Sequence, residues 1–230
     1  MQLTERDDQM MAWLQVVRVA DIDAVRWALA AFGDGGGPVS ARRAQQWAAR
    51  MIGAELLGRF RPVFRDGSVL WARPEGGQRP PNMFRQMMRH EVAVASVSAR
   101  FLAHGFSWEA DRRPRTRIEH QADGVAFRAG ERVLVEVELT QKRHERYGPI
   151  FASHVFRLER EGVTEVAYFG TPEVMRAIGR EAEQRVFRDA RPQVTTRAVF
   201  DGRGIWTGPA LLWASPREVA VPVELEGARG

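Results

Sequence analysis

The sequence predicts a mixed α+β and α/β protein in two parts, a small helical unit followed by a larger one built around a central mixed sheet. Residues 1–74 show three short helical periods and then an arginine-rich hairpin. Residues 75–82, Glu75-Gly76-Gly77-Gln78-Arg79-Pro80-Pro81-Asn82, combine glycine, proline and polar side chains without periodicity and read as a linker. Residues 83–201 open with a long helix and then alternate strands with helices, and 202–230 form a C-terminal extension. A 230-residue chain has room for two compact units, since domains commonly run to roughly 100 to 150 residues.

In the first part Thr4 is an N-cap with Asp7 three residues on, and Met10, Met11, Trp13, Leu14 and Val17 recur at helical spacing, so a first helix runs to about Val19. Asp21 caps a second helix, Ile22 to about Phe32, which the run Gly33-Asp34-Gly35-Gly36-Gly37-Pro38 ends. Ser40 starts a third, Ala41 to about Gly53, with Ala44, Trp47, Ala48 and Met51 inward and Arg42, Arg43, Gln45, Gln46 and Arg50 outward, a face that suits a DNA groove. Strands at 56–64 and 68–72 flank Arg65-Asp66-Gly67, in which Asp-Gly is a strong hairpin signal.

The second part begins with a buried helix from Met83 to about His104, closed by Gly105. Strands follow at 106–110, 116–119, 123–128 and 132–139. Then come a helix from Gln141 to about Glu161, a strand at 163–169, a helix opened by Thr171-Pro172 that runs to about Gln184, and a last strand at 194–200.

Composition narrows the function classes. The chain is 44% hydrophobic and 27% charged, and no apolar run approaches the roughly 20 residues of a membrane-spanning helix. There is no cysteine, which excludes disulfides, thiol nucleophiles and thiolate metal sites. The N-terminus lacks a signal peptide's basic start and apolar stretch, so the expected compartment is the cytoplasm. A net charge of +5 favours a polyanionic partner. Of the 34 Lys+Arg, only Lys142 is a lysine, and a compact ammonium at a reaction centre is not interchangeable with a guanidinium.

The chemistry concentrates around that lysine. In a strand of period two Leu134, Glu136 and Glu138 share one face, and Val133, Val135, Val137 and Leu139 the other. Asp123 begins the neighbouring strand and can reach the carboxylate face. Asp123, Glu136 and Glu138 would then offer oxygen donors to a hard cation, while Lys142 at the start of the next helix swings back over the site. The competing reading is an amphipathic edge strand with solvated glutamates and Lys142 as a helix partner of Glu138 or Glu145. His90 and Glu91 lie in the long helix, where Glu91 is either a fourth carboxylate or, equally, solvated or capping, and His144 and Tyr147 either contact phosphate or pack.

Three helices followed by an arginine-rich hairpin resemble the winged helix-turn-helix family. That resemblance implies duplex DNA as partner, contacted by Arg42, Arg43, Gln46 and Arg50 on the third helix and by Arg59, Arg61 and Arg65 on the hairpin; winged helices also dock proteins. A helix, a run of strands and then α-β-α-β, with Asp123, Glu136-Val137-Glu138 and Lys142, resemble the restriction-endonuclease-like fold and its PD-(D/E)XK motif. The combination is similar to the plasmid replication-relaxation family of actinobacteria. It implies a Mg²⁺-dependent DNA endonuclease or nickase in plasmid or mobile-element replication or transfer, with Asp123 and Glu136 on the metal and Lys142 beside the attacking water. Two departures stand out: His120-Gln121-Ala122 replaces the proline context before the aspartate, and Glu138 sits where the superfamily usually has its lysine. The alternative of another class is an inactive DNA-binding accessory protein with a degenerate nuclease fold. A homodimer and replication or transfer proteins are further partners that this reading allows.

Overall fold

Local sequence places the helix ends in the computed structural model, which describes residues 2–33, 35, 37–63, 66–73 and 87–210. Helix α1 (Glu5–Val17) starts at Thr4, whose hydroxyl accepts from Asp7 N while Asp7 Oδ2 accepts from Thr4 N at 3.0 Å, a reciprocal capping box. A two-residue strand that the sequence does not announce, β1 (Ala20–Asp21), leads into α2 (Ile22–Ala31), capped by Asp21 through a 2.7 Å bond from Ala24 N. Helix α3 (Ala41–Gly53) has its expected bounds, cap and inward set. Strands β2 (Leu57–Phe60) and β3 (Val69–Ala72) pair antiparallel as expected, but β2 is shorter than the expected 56–64: Phe60 already pairs with Val69, so the connection is longer than a tight turn at Asp66-Gly67. Strand β1 pairs with the other edge of β3, giving a three-stranded antiparallel sheet of order β1-β3-β2. Arg65, the linker 75–82 and residues 211–230 of the extension lie outside the described residues.

Helix α4 (Met87–Ala103) ends as the sequence predicts, with Gly105 at φ +77° where a side chain would be strained. A five-stranded mixed sheet follows, made of β4 (Ser107–Glu109), β5 (Gly124–Arg128), β6 (Glu131–Glu138), β7 (Glu165–Gly170) and β8 (Val194–Ala198) in that order across the sheet. The first three strands run antiparallel to their neighbours and the last two are parallel, so β6, the central strand, is antiparallel to β5 and parallel to β7. The parallel steps cross over through α5 (His144–Arg160) and α6 (Pro172–Arg185). Gly124 allows the close approach of β4, because a Cβ there would lie 2.1 Å from the Trp108 ring.

Two sequence expectations are corrected. Residues 116–119 are a turn and not a strand: Glu119 folds back to accept from Arg115 N at 3.0 Å, and Ile118 is 79% exposed, so no ladder or core contact holds an extended chain. The helix after β6 starts at His144 and not Gln141, which leaves Lys142 in the connecting loop.

The sheet is covered on both faces. Leu134, Val166 and Tyr168 pack with Tyr147, Phe151 and Val155 of α5 and Val174, Met175 and Ile178 of α6. On the other face Val133, Val135, Val137 and Phe169 join Val97 and Phe101 of α4. The same apolar cluster continues without a break into Trp13, Leu14, Val25, Leu29 and Trp47 of the first three helices. Polar links cross there too: Trp13 Nε1 donates to Ser98 Oγ at 3.0 Å, and Arg100, 3% exposed, reaches Asp23 at 2.8 Å. The described start of the extension folds back on this region, with the Trp206 ring 3.8 Å from the Arg100 guanidinium. No described helix is long and apolar enough to cross a membrane.

Candidate functional site

The C-terminal end of β6 gathers the residues singled out by the sequence. Alternation along the strand turns Glu136 and Glu138 toward the α5 face, opposite Tyr168 and Gly170 of β7. Both are buried, at 3% and 8% exposure, and their strand is central, which removes the reading of a solvated edge strand. Asp123 lies where β5 has just peeled away from β6. Its N–H donates to Val135 O at 3.0 Å, and its Oδ2 accepts the next ladder N–H, that of Val137, at 2.7 Å. The aspartate is thereby held beside the two residues that flank Glu136.

Lys142 follows four residues after Glu138, and its ammonium contacts Glu138 Oε1 as an ion pair. The loop that carries it is pinned by the buried Tyr147 hydroxyl, which accepts from Lys142 N at 3.1 Å. Burial lowers the Lys142 pKa, opposed by the nearby carboxylates of Glu136 and Asp123. Lys142 therefore feels the charges of Asp123, Glu136 and Glu138, but the three carboxylates do not bring one oxygen each within 4.8 Å of one another. Of these four, Glu138 and Lys142 line a cavity of about 580 Å³, together with Thr140, Gln141, Arg143 and Arg146. The N-terminus of α5 faces the same loop, and Arg143 at its N-cap makes no side-chain cap bond, so the orphan N–H groups add positive potential there.

His90, His120 and His154 join the site, and none of the three carried a functional reading from sequence. His90, on α4, shares its Nε2–H between Asp123 Oδ2 at 3.1 Å and Val137 O at 3.0 Å. Burial disfavours the charged ring, but the Asp123 carboxylate outweighs it and the His90 pKa rises. Glu91, the expected fourth carboxylate, instead pairs with Arg18 at 2.9 Å. His144 turns to α6, where its Nδ1 lies 2.5 Å from Glu181. Behind Glu136 stand His154 and His120, with Nε2 atoms 3.1 Å and 3.0 Å from Glu136 Oε1. Burial raises the Glu136 pKa, yet the two imidazoles prevail and hold it below the usual carboxylate range. Tyr168 OH lies 3.0 Å from His154 Nδ1, so the buried ring is bracketed by the tyrosine hydroxyl on one nitrogen and Glu136 on the other.

The loop bearing His120 and Asp123 is fastened to α5. Arg157 donates two parallel bonds to Asp111, at 2.6 and 2.8 Å, with side chains only 2% and 1% exposed. Asp111 Oδ2 also accepts from Ala122 N at 2.8 Å, and Ser153 Oγ accepts from His120 N at 3.0 Å. Sequence periodicity carries no sign of this clamp, since Asp111 and Arg157 are 46 residues apart.

The expected DNA-contacting residues divide. Arg42, Arg43 and Gln46 are exposed on α3, and Arg59 and Arg61 are exposed on and beside β2. Arg50 is engaged, donating to the fully buried Asp7 at 2.5 Å, beside the 2.9 Å bond from Trp47 Nε1 to the same oxygen. Compared with models of known protein families and with curated proteins, the chain matches none of them.

Proposed function

We propose that the chain binds duplex DNA through α3 and the β2–β3 hairpin and cleaves phosphodiester bonds at the end of β6, in the manner of a winged helix joined to a restriction-endonuclease-like domain. The observation that carries this reading is the placement of Asp123, Glu136, Glu138 and Lys142 around the C-terminal end of one strand, with Glu138 and Lys142 lining a cavity that Arg143 and Arg146 also face. The element order α1-β1-α2-α3-β2-β3, with its small antiparallel sheet, supports the first half, as the order α4-β4-β5-β6-α5-β7-α6-β8 supports the second.

The carboxylates suit a hard divalent cation such as Mg²⁺, because among the described residues Asp123 Oδ1 accepts no hydrogen bond and can serve as an oxygen donor beside Glu136. When bound there, the cation supplies Lewis acidity to the phosphate and a more acidic water. The protein's own groups do the rest. Arg143, Arg146 and the N-terminus of α5 orient the phosphate, and the Lys142 ammonium donates toward the developing charge. A second reading keeps DNA binding without cleavage. It is favoured by the engagement of Glu138 with Lys142 and of Glu136 with histidine, which occupies the groups a catalyst would use.

Incubating the purified protein with supercoiled plasmid, with and without Mg²⁺ or Mn²⁺, separates the two. Metal-dependent conversion to open-circular or linear DNA, abolished by Asp123→Asn, supports the nuclease. Retained DNA binding with intact plasmid supports the second reading.

A further inference from the structure

Glu136 takes part in two chemistries: its charge acts on Lys142, and its Oε1 is in contact with two imidazoles. The imidazole pair is unusual for a structural hydrogen-bond network. His120 Nε2 is buried and 3.0 Å from Glu136 Oε1, yet its direction leaves it without a hydrogen bond. Three ligand atoms, one each from His120, Glu136 and His154, all lie within 4.8 Å of one another, the one such set among the described residues. The rings of His120 and His154 are 5.5 Å apart and inclined by 68°, so they approach Glu136 from different directions and do not stack.

We propose that His120, Glu136 and His154 form a site for a borderline divalent transition metal of the zinc class, distinct from the hard-cation reading of Asp123 and Glu136. Two imidazole nitrogens and one carboxylate oxygen are the donor set that such metals prefer and that Mg²⁺ does not. Ligands at about 2.0 to 2.1 Å from a tetrahedral zinc stand about 3.3 Å apart, so the two histidine-to-Glu136 separations of 3.0 and 3.1 Å are near that spacing, and the two histidine nitrogens, within 4.8 Å of each other, close on the ion by side-chain rotation. The second shell is in place. Once His154 Nε2 ligates, Nδ1 carries the proton and donates to Tyr168 OH, 3.0 Å away, while Ser153 holds the His120 backbone. Three protein ligands leave a fourth position for water or a phosphate oxygen.

The test uses the untagged full-length chain, stripped with chelator, titrated calorimetrically with Zn²⁺ and by visible absorption with Co²⁺. One equivalent of Co²⁺ with the intense bands of a low-coordinate nitrogen and oxygen site is expected, and excess Mg²⁺ does not displace it. His120→Ala, at a partly exposed loop position, should retain its melting behaviour and lose at least about 100-fold in affinity, and Tyr168→Phe about 10- to 100-fold, the usual effect of an outer-shell partner. Weak octahedral bands, displacement by Mg²⁺, or an unchanged His120→Ala titration overturns the proposal. The outcome is separable from that of cleavage. Protein that binds Co²⁺ in this way but leaves plasmid intact supports the site and counts against the nuclease. Protein that nicks plasmid in Mg²⁺ and shows no histidine-dependent Co²⁺ binding overturns the site alone.

Discussion

Replacing Asp111 with alanine should destabilise this protein more than almost any other single truncation of a polar side chain. In the intact chain Arg157, 2% exposed, is neutralised by two bonds to Asp111, and Ala122 N has the same carboxylate as its acceptor. Leaving a buried charge without its partner costs about 3 to 5 kcal/mol. The remaining bond from Arg157 Nε to Glu161 at 3.0 Å moves the expectation to the lower end, and the stranded Ala122 N–H moves it back. A loss of about 3 to 4 kcal/mol is a large part of the roughly 5 to 15 kcal/mol that holds a domain together. The assay is urea unfolding of the full chain, in which the midpoint should fall while the slope stays the same. Because Asp111 fastens the loop that ends in His120 and Asp123, metal affinity should fall in the variant even where it remains folded. The double variant Asp111→Leu with Arg157→Met removes both charges together and should recover most of the loss. A single-variant effect below about 1 kcal/mol would mean that water reaches the pair and that the clamp is a surface ion pair.

Four further outcomes are expected. Burial raises the Asp7 pKa, but the bonds from Arg50, Thr4 and Trp47 outweigh it and hold the carboxyl well below its usual range; the folded value is thus lower than the unfolded one. Its contribution is fully present above a pH of about 4 and is lost as the pH falls toward the folded pKa, so Asp7→Asn should flatten the acid limb of stability measured by thermal melts. Arg42→Ala with Arg43→Ala should weaken duplex binding and shrink its salt slope by about 0.9 for each phosphate that is no longer neutralised, whereas Arg50→Ala should act chiefly on stability through Asp7; equal folding and weaker binding in the latter would reverse that assignment. Deleting residues 1–76 would bare the α4 surface that packs on Trp13, Val25 and Leu29, so the fragment should be molten or insoluble, and a sharp cooperative melt would contradict the continuous core. Lys142→Arg should cost much of any plasmid-cleaving rate while leaving DNA affinity unchanged, and an undiminished rate would reduce Lys142 to the ion-pair partner of Glu138.

What the sequence determined by itself is local. Helix starts at Thr4, Asp21, Ser40 and Thr171 were legible because a capping side chain bonds within three residues of itself. The inward face of α3 and the shared face of Glu136 and Glu138 follow from helical and strand periods. Three decisions belong to tertiary structure alone. The sheet order made β6 central, which turned an alternating strand that could have been a solvated edge into one with buried glutamates. Packing of α4 against both the first helices and the sheet joined in one cluster two parts that the composition of 75–82 had separated. The histidines around Glu136 and Asp123 come from α4, α5 and a loop, 16 to 46 residues from Glu136 along the chain, and they meet only because the strands and the Asp111–Arg157 clamp bring those segments together. A residue's own neighbours in sequence decide its backbone and its face, but the partner of a buried charge is chosen by where distant segments pack, and one-dimensional spacing does not encode that choice.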